Sequence, residues 1–164
     1  MSVLVALISD THLPKGGRAL PESCRERLGA AELIIHAGDI VAASALAELE
    51  AIGPPLMAVH GNVDDASLQR VLPSELTVEV AGVSIGVVHD AGPARGRLAR
   101  LCRAFPAVEA VVFGHSHIPL HEEEAGFQIF NPGSPTERRR QPRPTMGLAR
   151  VQQGRITFEL VALE

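Results

Sequence analysis

The chain has 164 residues, a formal net charge of −4, and two cysteines against 46% apolar residues. That length suits one domain over residues 1–164, able to bury roughly two thirds of its unfolded surface without disulfides. Its charge offers no general attraction to nucleic acid or anionic lipid, and no apolar run approaches the length of a membrane span, so neither is an expected partner. Residues 3–9 form a short apolar run that leads straight into Asp10 and His12; with no basic leader or cleavage site it reads as a strand rather than an export signal. Apolar spacing predicts helices over 21–28, 41–51, 66–72 and 97–105. Between them, runs rich in Val, Ile and Leu at 33–37, 56–60, 83–89 and 110–113 read, with 3–9, as strands of an inner sheet buried on both faces. Residues 76–80 and 83–89 flank Ala81 and Gly82, a hairpin signal. His121 precedes Glu122, Glu123 and Glu124, which read as a solvated turn. Residues 132–144, dense in Pro and Arg, read as an irregular loop. The tail reads as a closing hairpin of 145–152 and 155–162 about Gln153 and Gly154, with Ile156, Phe158 and Leu160 on one face. Cys24 and Cys102 each lie alone in a helical segment and read as buried or half-buried apolar residues of a reducing, cytoplasmic setting.

Alternating strands and helices predict an α/β fold, and the chemistry-bearing residues fall in a pattern on it. Asp10, Asp39, Asn62, His89 and His115 each sit at, or one or two residues past, the C-terminal end of an apolar run. In an α/β sheet those ends gather along one rim. Gly38, Gly61 and Gly114 immediately precede Asp39, Asn62 and His115 and fit tight turns. Asp10 with His12, and His115 with His117, stand two apart and share a side if the chain there is extended. These are donors for divalent transition metals, and there are more of them than one four-coordinate ion uses, which points to a two-metal hydrolase.

The ordered set Asp10-Thr11-His12, Gly38-Asp39, Gly61-Asn62, His89 and Gly114-His115-Ser116-His117 resembles the calcineurin-like metallophosphoesterase superfamily. The small size, Asn131-Pro132-Gly133-Ser134 and the closing hairpin are similar to its compact bacterial and archaeal phosphodiesterase group. The resemblance implies a two-sheet α/β sandwich with metal ligands on loops at strand C-terminal ends. It also implies two divalent ions per chain, manganese first, with iron, nickel, cobalt or zinc as alternatives. Asp10, His12 and His117 would hold one ion, Asn62, His89 and His115 the other, and Asp39 would bridge them. A hydroxide shared by the ions would attack a small-molecule phosphodiester, and Asn62 could also donate to a phosphate oxygen. The resemblance allows a homo-oligomer.

One position departs from the pattern. Many relatives carry His directly after the Gly-Asn pair, where it can protonate the leaving oxygen; here the residue is Val63, followed by Asp64. General-acid help is typically worth about 10²- to 10⁴-fold, so its loss should penalise poor leaving groups most and favour aryl diesters over cyclic nucleotides. Asp64 reads as the N-cap of the helix beginning at Ala66 before it reads as a substitute acid. His36, His60 and His121 read as structural. Arg138, Arg139, Arg140 and Arg143, like Arg95, Arg97 and Arg100, read either as solvated or as reaching for a substrate phosphate. Two other functions stay open: a phosphomonoesterase, and a protein-binding scaffold such as the retromer subunit of similar fold. The intact ligand set speaks against the scaffold.

Overall fold

The computed structural model describes residues 1–14 and 16–164. In chain order the elements are β1 (Ser2–Ile8), α1 (Glu22–Ala30), β2 (Leu33–His36), α2 (Ala43–Glu50), β3 (Leu56–Ala58), α3 (Ala66–Val71), β4 (Glu75–Val80) and β5 (Val83–Val88). There follow α4 (Arg97–Ala104), β6 (Ala110–Val112), β7 (Leu120–Glu124), β8 (Phe127–Asn131), β9 (Thr145–Gln152) and β10 (Arg155–Ala162). They build two five-stranded sheets, in the orders β10-β9-β1-β2-β3 and β4-β5-β6-β8-β7.

The side-chain alternation of β1 shows how the layers stack. Val5 and Leu7 join Ile35, Val59, Ile85, Val87, Val112 and Phe130 in the apolar layer between the sheets. Ala6 and Ile8 point the other way, to Cys24 and Leu28 of α1, Ala45 and Leu49 of α2 and Leu68 of α3. On the far side of the second sheet, Val111 and Ile129 pack with Leu101 of α4, Phe105 and Phe113. A period of two thus feeds two cores from one strand, giving a helix–sheet–sheet–helix sandwich.

Three expectations change. The five apolar runs do not share one inner sheet: β1, β2 and β3 lie in the first, β5 and β6 in the second. Burial on both faces is common to inner strands of either sheet, so the runs alone do not separate them. The acidic stretch at 121–124 belongs to strand β7, paired antiparallel with β8 so that His121 faces Phe130 and Glu124 faces Phe127. β7 is an edge, where exposed carboxylates protect unpaired backbone groups, and the turn comes later, at Ala125 (φ 52°) and Gly126 (φ 84°). Cys24 is buried but Cys102 is exposed. The closing hairpin has the expected bounds, with Gln153 and Gly154 both left-handed (φ 52° and 73°), as a two-residue turn between twisted strands demands. Among the described residues, no helix is long and apolar enough to cross a membrane.

Phe130 is 1% exposed and stacks on Phe158 with ring centroids 4.7 Å apart. Phe130→Ala opens a cavity between the sheets and is expected to cost about 3–5 kcal/mol, read as a lower midpoint in urea denaturation.

Candidate metal centre

Both sheets supply the rim. Asp10 and His12 follow β1, Asp39 follows β2, and Asn62 lies beyond β3; His89 follows β5, and His115 and His117 lie beyond β6. The backbone at these places is not extended. Asp10, His12, Asp39, His115 and His117 all have positive φ, at 55°, 48°, 64°, 75° and 63°. For residues with a Cβ this left-handed region costs of order 1–3 kcal/mol each and persists only where the surroundings impose it. Here Asp10 donates its N–H to Gly38 O (2.9 Å), His12 donates to Asp39 O (3.0 Å) and Gly114 donates to His89 O (2.9 Å). The paired ligands therefore share a side through left-handed turns, which corrects the extended claws read from their spacing. Gly61 and Gly114 are needed for close approach rather than for φ. A Cβ at Gly61 would strike the Asp39 carboxylate, and one at Gly114 the Ser9 hydroxyl and the Asp10 carboxylate.

The side chains converge. Asp10 Oδ2 accepts from the Ser9 hydroxyl (2.7 Å) and from the His115 N–H (2.9 Å). That leaves Oδ1 facing His117 Nε2 at 3.5 Å and His12 and His89 Nε2 at 3.9 Å. Asp39 Oδ1 accepts from Val63 N–H (3.0 Å), and Oδ2 stands between His12 Nε2 (3.5 Å) and His89 Nε2 (3.2 Å). Asn62 Oδ1 lies 3.0 Å from His89 Nε2 and 3.1 Å from His115 Nδ1. All seven candidate ligands thus reach one cluster. Asp10, His12, Asp39, His89 and His117 are buried, whereas Asn62 and His115 are exposed, so the centre has a closed half and an open half.

Three buried atoms at its heart, Asp10 Oδ1, His12 Nε2 and His117 Nε2, have no hydrogen-bond partner among the described residues. Unsatisfied buried polar atoms are costly, and imidazole nitrogens facing carboxylate oxygens are the donor set of a divalent transition metal. Two triplets, Asp10-His12-His117 and Asp10-Asp39-His89, have ligand atoms all within 4.8 Å of one another. His89 Nδ1 bonds Ala37 O (2.7 Å) and His117 Nδ1 bonds Glu137 O (2.6 Å). Donation to those carbonyls turns the Nε2 lone pairs toward the centre. Without an ion the charges settle on one another. Burial would lower the His12 pKa, but the carboxylates of Asp10 and Asp39 facing its Nε2 outweigh it and raise the group to about 9. Burial would likewise raise Asp39, yet His12 and His89 hold its carboxyl well below the usual range. Burial pushes His117 down, while Asp39 and Asp10 push His89 up against its burial.

Residues that spacing did not single out brace the cluster. Asp64 is buried and accepts three backbone N–H groups, from Asp39 (3.1 Å), Val41 (2.5 Å) and Gly61 (2.6 Å). The N-cap of α3 is instead Asp65, which accepts from Leu68 N–H. His36 accepts the Gly38 N–H (3.0 Å) on Nδ1 and bonds Thr11 Oγ1 (3.0 Å) through Nε2, and full burial lowers its pKa to about 3. It is a neutral strut. His121 bonds Gln128. His60, however, lines a cleft of about 360 Å³ with Asn62, His89 and Asp90. Of the arginines, Arg100 is tied to Ala91 O and Pro93 O, Arg97 lies over the Phe113 ring and Arg138 bonds Gln141 O. Arg139 is exposed and close enough for its charge to disfavour protonation of His117.

Comparison with known proteins agrees with this geometry. The profile of the calcineurin-like phosphoesterase superfamily domain matches residues 3–154. A probable metallophosphoesterase of Methanothermobacter thermautotrophicus is 29% identical over 97% of this chain and 92% of its own length. A phosphodiesterase of Methanocaldococcus jannaschii is 24% identical over 79% of this chain and 82% of its own. Among solved structures, vacuolar protein sorting 29 from Cryptosporidium parvum superposes with a TM-score of 0.79 at 21% identity, covering 99% of this chain and 98% of that one, a likeness of fold. The chain belongs to the calcineurin-like phosphoesterase superfamily.

Asp64→Ala strands three donors and is expected to cost about 3 kcal/mol or more in chemical denaturation. A pH series tests the electrostatics. The raised His12 stabilises the metal-free fold fully below its ordinary value of 6.5, and that contribution is lost as pH rises through about 9. Metal-free protein should therefore weaken between those limits in thermal unfolding, while affinity for Mn²⁺ rises over the same interval as the competing proton leaves.

Proposed function

We propose that this member of the superfamily hydrolyses small-molecule phosphodiesters with two divalent metal ions, manganese first among them. Asp10, His12 and His117 would hold one ion and Asn62, His89 and His115 the other, with Asp39 between them. The observation that carries this reading is the group of buried, unpartnered atoms, Asp10 Oδ1, His12 Nε2 and His117 Nε2, gathered near Asp39 Oδ2, which already faces two imidazoles. Dications bound there supply a nucleophilic water near neutral pH and neutralise charge on the phosphoryl oxygens.

The chain's own residues do the rest. Asp39 is fixed through Oδ1 by the Val63 N–H, leaving Oδ2 as the shared anionic ligand. Asn62 sits at the exposed lip of the cleft, where its NH₂ can donate to a phosphoryl oxygen while Oδ1 faces His89 and His115. Val63, 44% exposed, presents hydrocarbon where a proton donor would serve the leaving group. Asp64 cannot take over that role: it is buried and both its oxygens accept backbone N–H bonds. With neither Val63 nor Asp64 able to donate a proton, the leaving oxygen departs with less assistance, which favours aryl over alkyl leaving groups. Monoesters are the second substrate class to test, and a protein-binding scaffold is the second function, on the likeness of fold to vacuolar protein sorting 29.

A panel of an aryl phosphodiester, an aryl phosphomonoester and a cyclic nucleotide, assayed with Mn²⁺ and with chelator, decides among them. The expected outcome is metal-dependent turnover fastest on the aryl diester. Val63→His should raise the rate on the cyclic nucleotide by about 10²-fold and change the aryl diester little. Equal rates on both diesters in the wild type would refute the leaving-group argument, and two-ion binding without turnover on any ester would favour the scaffold.

A further inference from the structure

We propose that Glu137, braced by Arg18, is the positioning residue of the closed half of the metal centre and sets how tightly the Asp10, His12 and His117 site holds its ion. This inference rests on the two-ion reading above and adds to it a residue outside the ligand set.

Glu137 lies on the loop after β8, and that loop is fastened to the ligand-bearing turn after β1. The Ser134 hydroxyl donates to Asp10 O (2.8 Å), the Thr136 hydroxyl donates to Thr11 O (2.6 Å), and the Glu137 N–H donates to Ser134 Oγ (2.8 Å). From this anchorage Glu137 reaches two ligands by different atoms. Its backbone carbonyl accepts from His117 Nδ1 (2.6 Å), and its carboxylate Oε2 stands 3.4 Å from His12 Nδ1. The other carboxylate oxygen, Oε1, accepts from Arg18 Nη2 at 3.2 Å. The side chain is thus stretched between a guanidinium and an imidazole, which fixes Oε2 against His12.

A carboxylate behind a ligating imidazole fixes its ring, selects the Nε2 lone pair for the metal and makes it a stronger donor; losing such a partner typically weakens metal binding by about 10- to 100-fold. His89 and His117 have neutral carbonyls in the corresponding place. Among the described contacts, His12 is the imidazole with a carboxylate at its back. The device therefore serves one ion and leaves the open half, with exposed Asn62 and His115, to bind its ion without such help.

Substitution of the side chain separates this role from the structural one, because the N–H to Ser134 and the carbonyl to His117 belong to the backbone. Equilibrium titration with Mn²⁺, with metal analysis of the bound fraction, is expected to show two ions per wild-type chain. Glu137→Gln should weaken one of the two by about tenfold and Glu137→Ala by nearer a hundredfold, leaving the other unchanged. Thermal unfolding of the metal-free variants should remain cooperative; if Glu137→Ala fails to fold, the near-isosteric Glu137→Gln carries the test. In the Zn²⁺-loaded protein the imidazole nitrogen resonances of His12 should shift in Glu137→Gln while those of His117 stay. Two ions bound by Glu137→Gln as tightly as by the wild type, or both weakened equally, would overturn the assignment of Glu137. Failure of the wild type to take up two ions would instead overturn the dinuclear reading itself.

Discussion

The structure depends on one electrostatic constraint: two buried carboxylates, Asp10 and Asp39, and three buried imidazoles, His12, His89 and His117, are brought together away from bulk solvent. Confining such charge is unfavourable unless something positive sits among it, a proton or a metal ion. In the metal-free chain the facing carboxylates favour the protonated imidazole at His12 and His89 against their burial. A divalent ion bound among these groups would displace those protons.

The scaffold meets that constraint by hydrogen-bonding four of the seven candidate ligands from behind. Asp10 is held through one oxygen, Asp39 through one oxygen, and His89 and His117 each through Nδ1, so that in every case the remaining donor atom points inward. Asp64 does the same for backbone. By accepting N–H groups from Asp39, Val41 and Gly61 it ties the loop after β2 to the loop after β3, the two that carry Asp39 and Asn62. Left-handed backbone at five of the ligands is a consequence: each turn aims a side chain where regular strand geometry would not, and the surrounding hydrogen bonds hold it there.

How much of this the sequence displayed varies with the kind of information needed. The closing hairpin was legible to the residue because alternation of Ile156, Phe158 and neighbours is a local signal, and the convergence of the candidate ligands was legible because the end of a buried strand is a local signal too. Allocation of β1, β2, β3, β5 and β6 to two sheets was not, since an apolar run reports burial without naming its neighbour. β7 was hidden for the opposite reason: Glu122, Glu123 and Glu124 look solvated because they are, and an edge strand can be solvated and still paired. The positive φ at Asp10, His12 and His117 left no trace in composition, because these are ordinary ligating residues at which the context imposes the strain. Glu137 sits in a stretch whose Pro and Arg content says only loop. The direction its carboxylate takes is decided by Ser134 and Thr136 gripping the turn after β1, a long-range contact with no local signature.

Splitting the ligands between two sheets has a functional corollary. Asp10, His12, Asp39 and Asn62 ride on the first sheet and His89, His115 and His117 on the second, so either proposed ion would bridge the sandwich. The distance across the centre is then set by the apolar layer beneath it, where Leu7, Ile35, Val87 and Val112 from the ends of the same strands interdigitate. Close packing resists small displacements more firmly than loops do, since even a methylene of mismatch is felt in a dense interior. Spacing between the two halves of the centre is thereby referred to the hydrophobic core beneath the loops. On the function proposed above, substrate preference would be left to the exposed lip formed by Asn62, Val63 and the cleft beside His60. Rigid spacing below and an exposed lip above would then let one sandwich keep its metal chemistry while position 63 altered which leaving groups it serves.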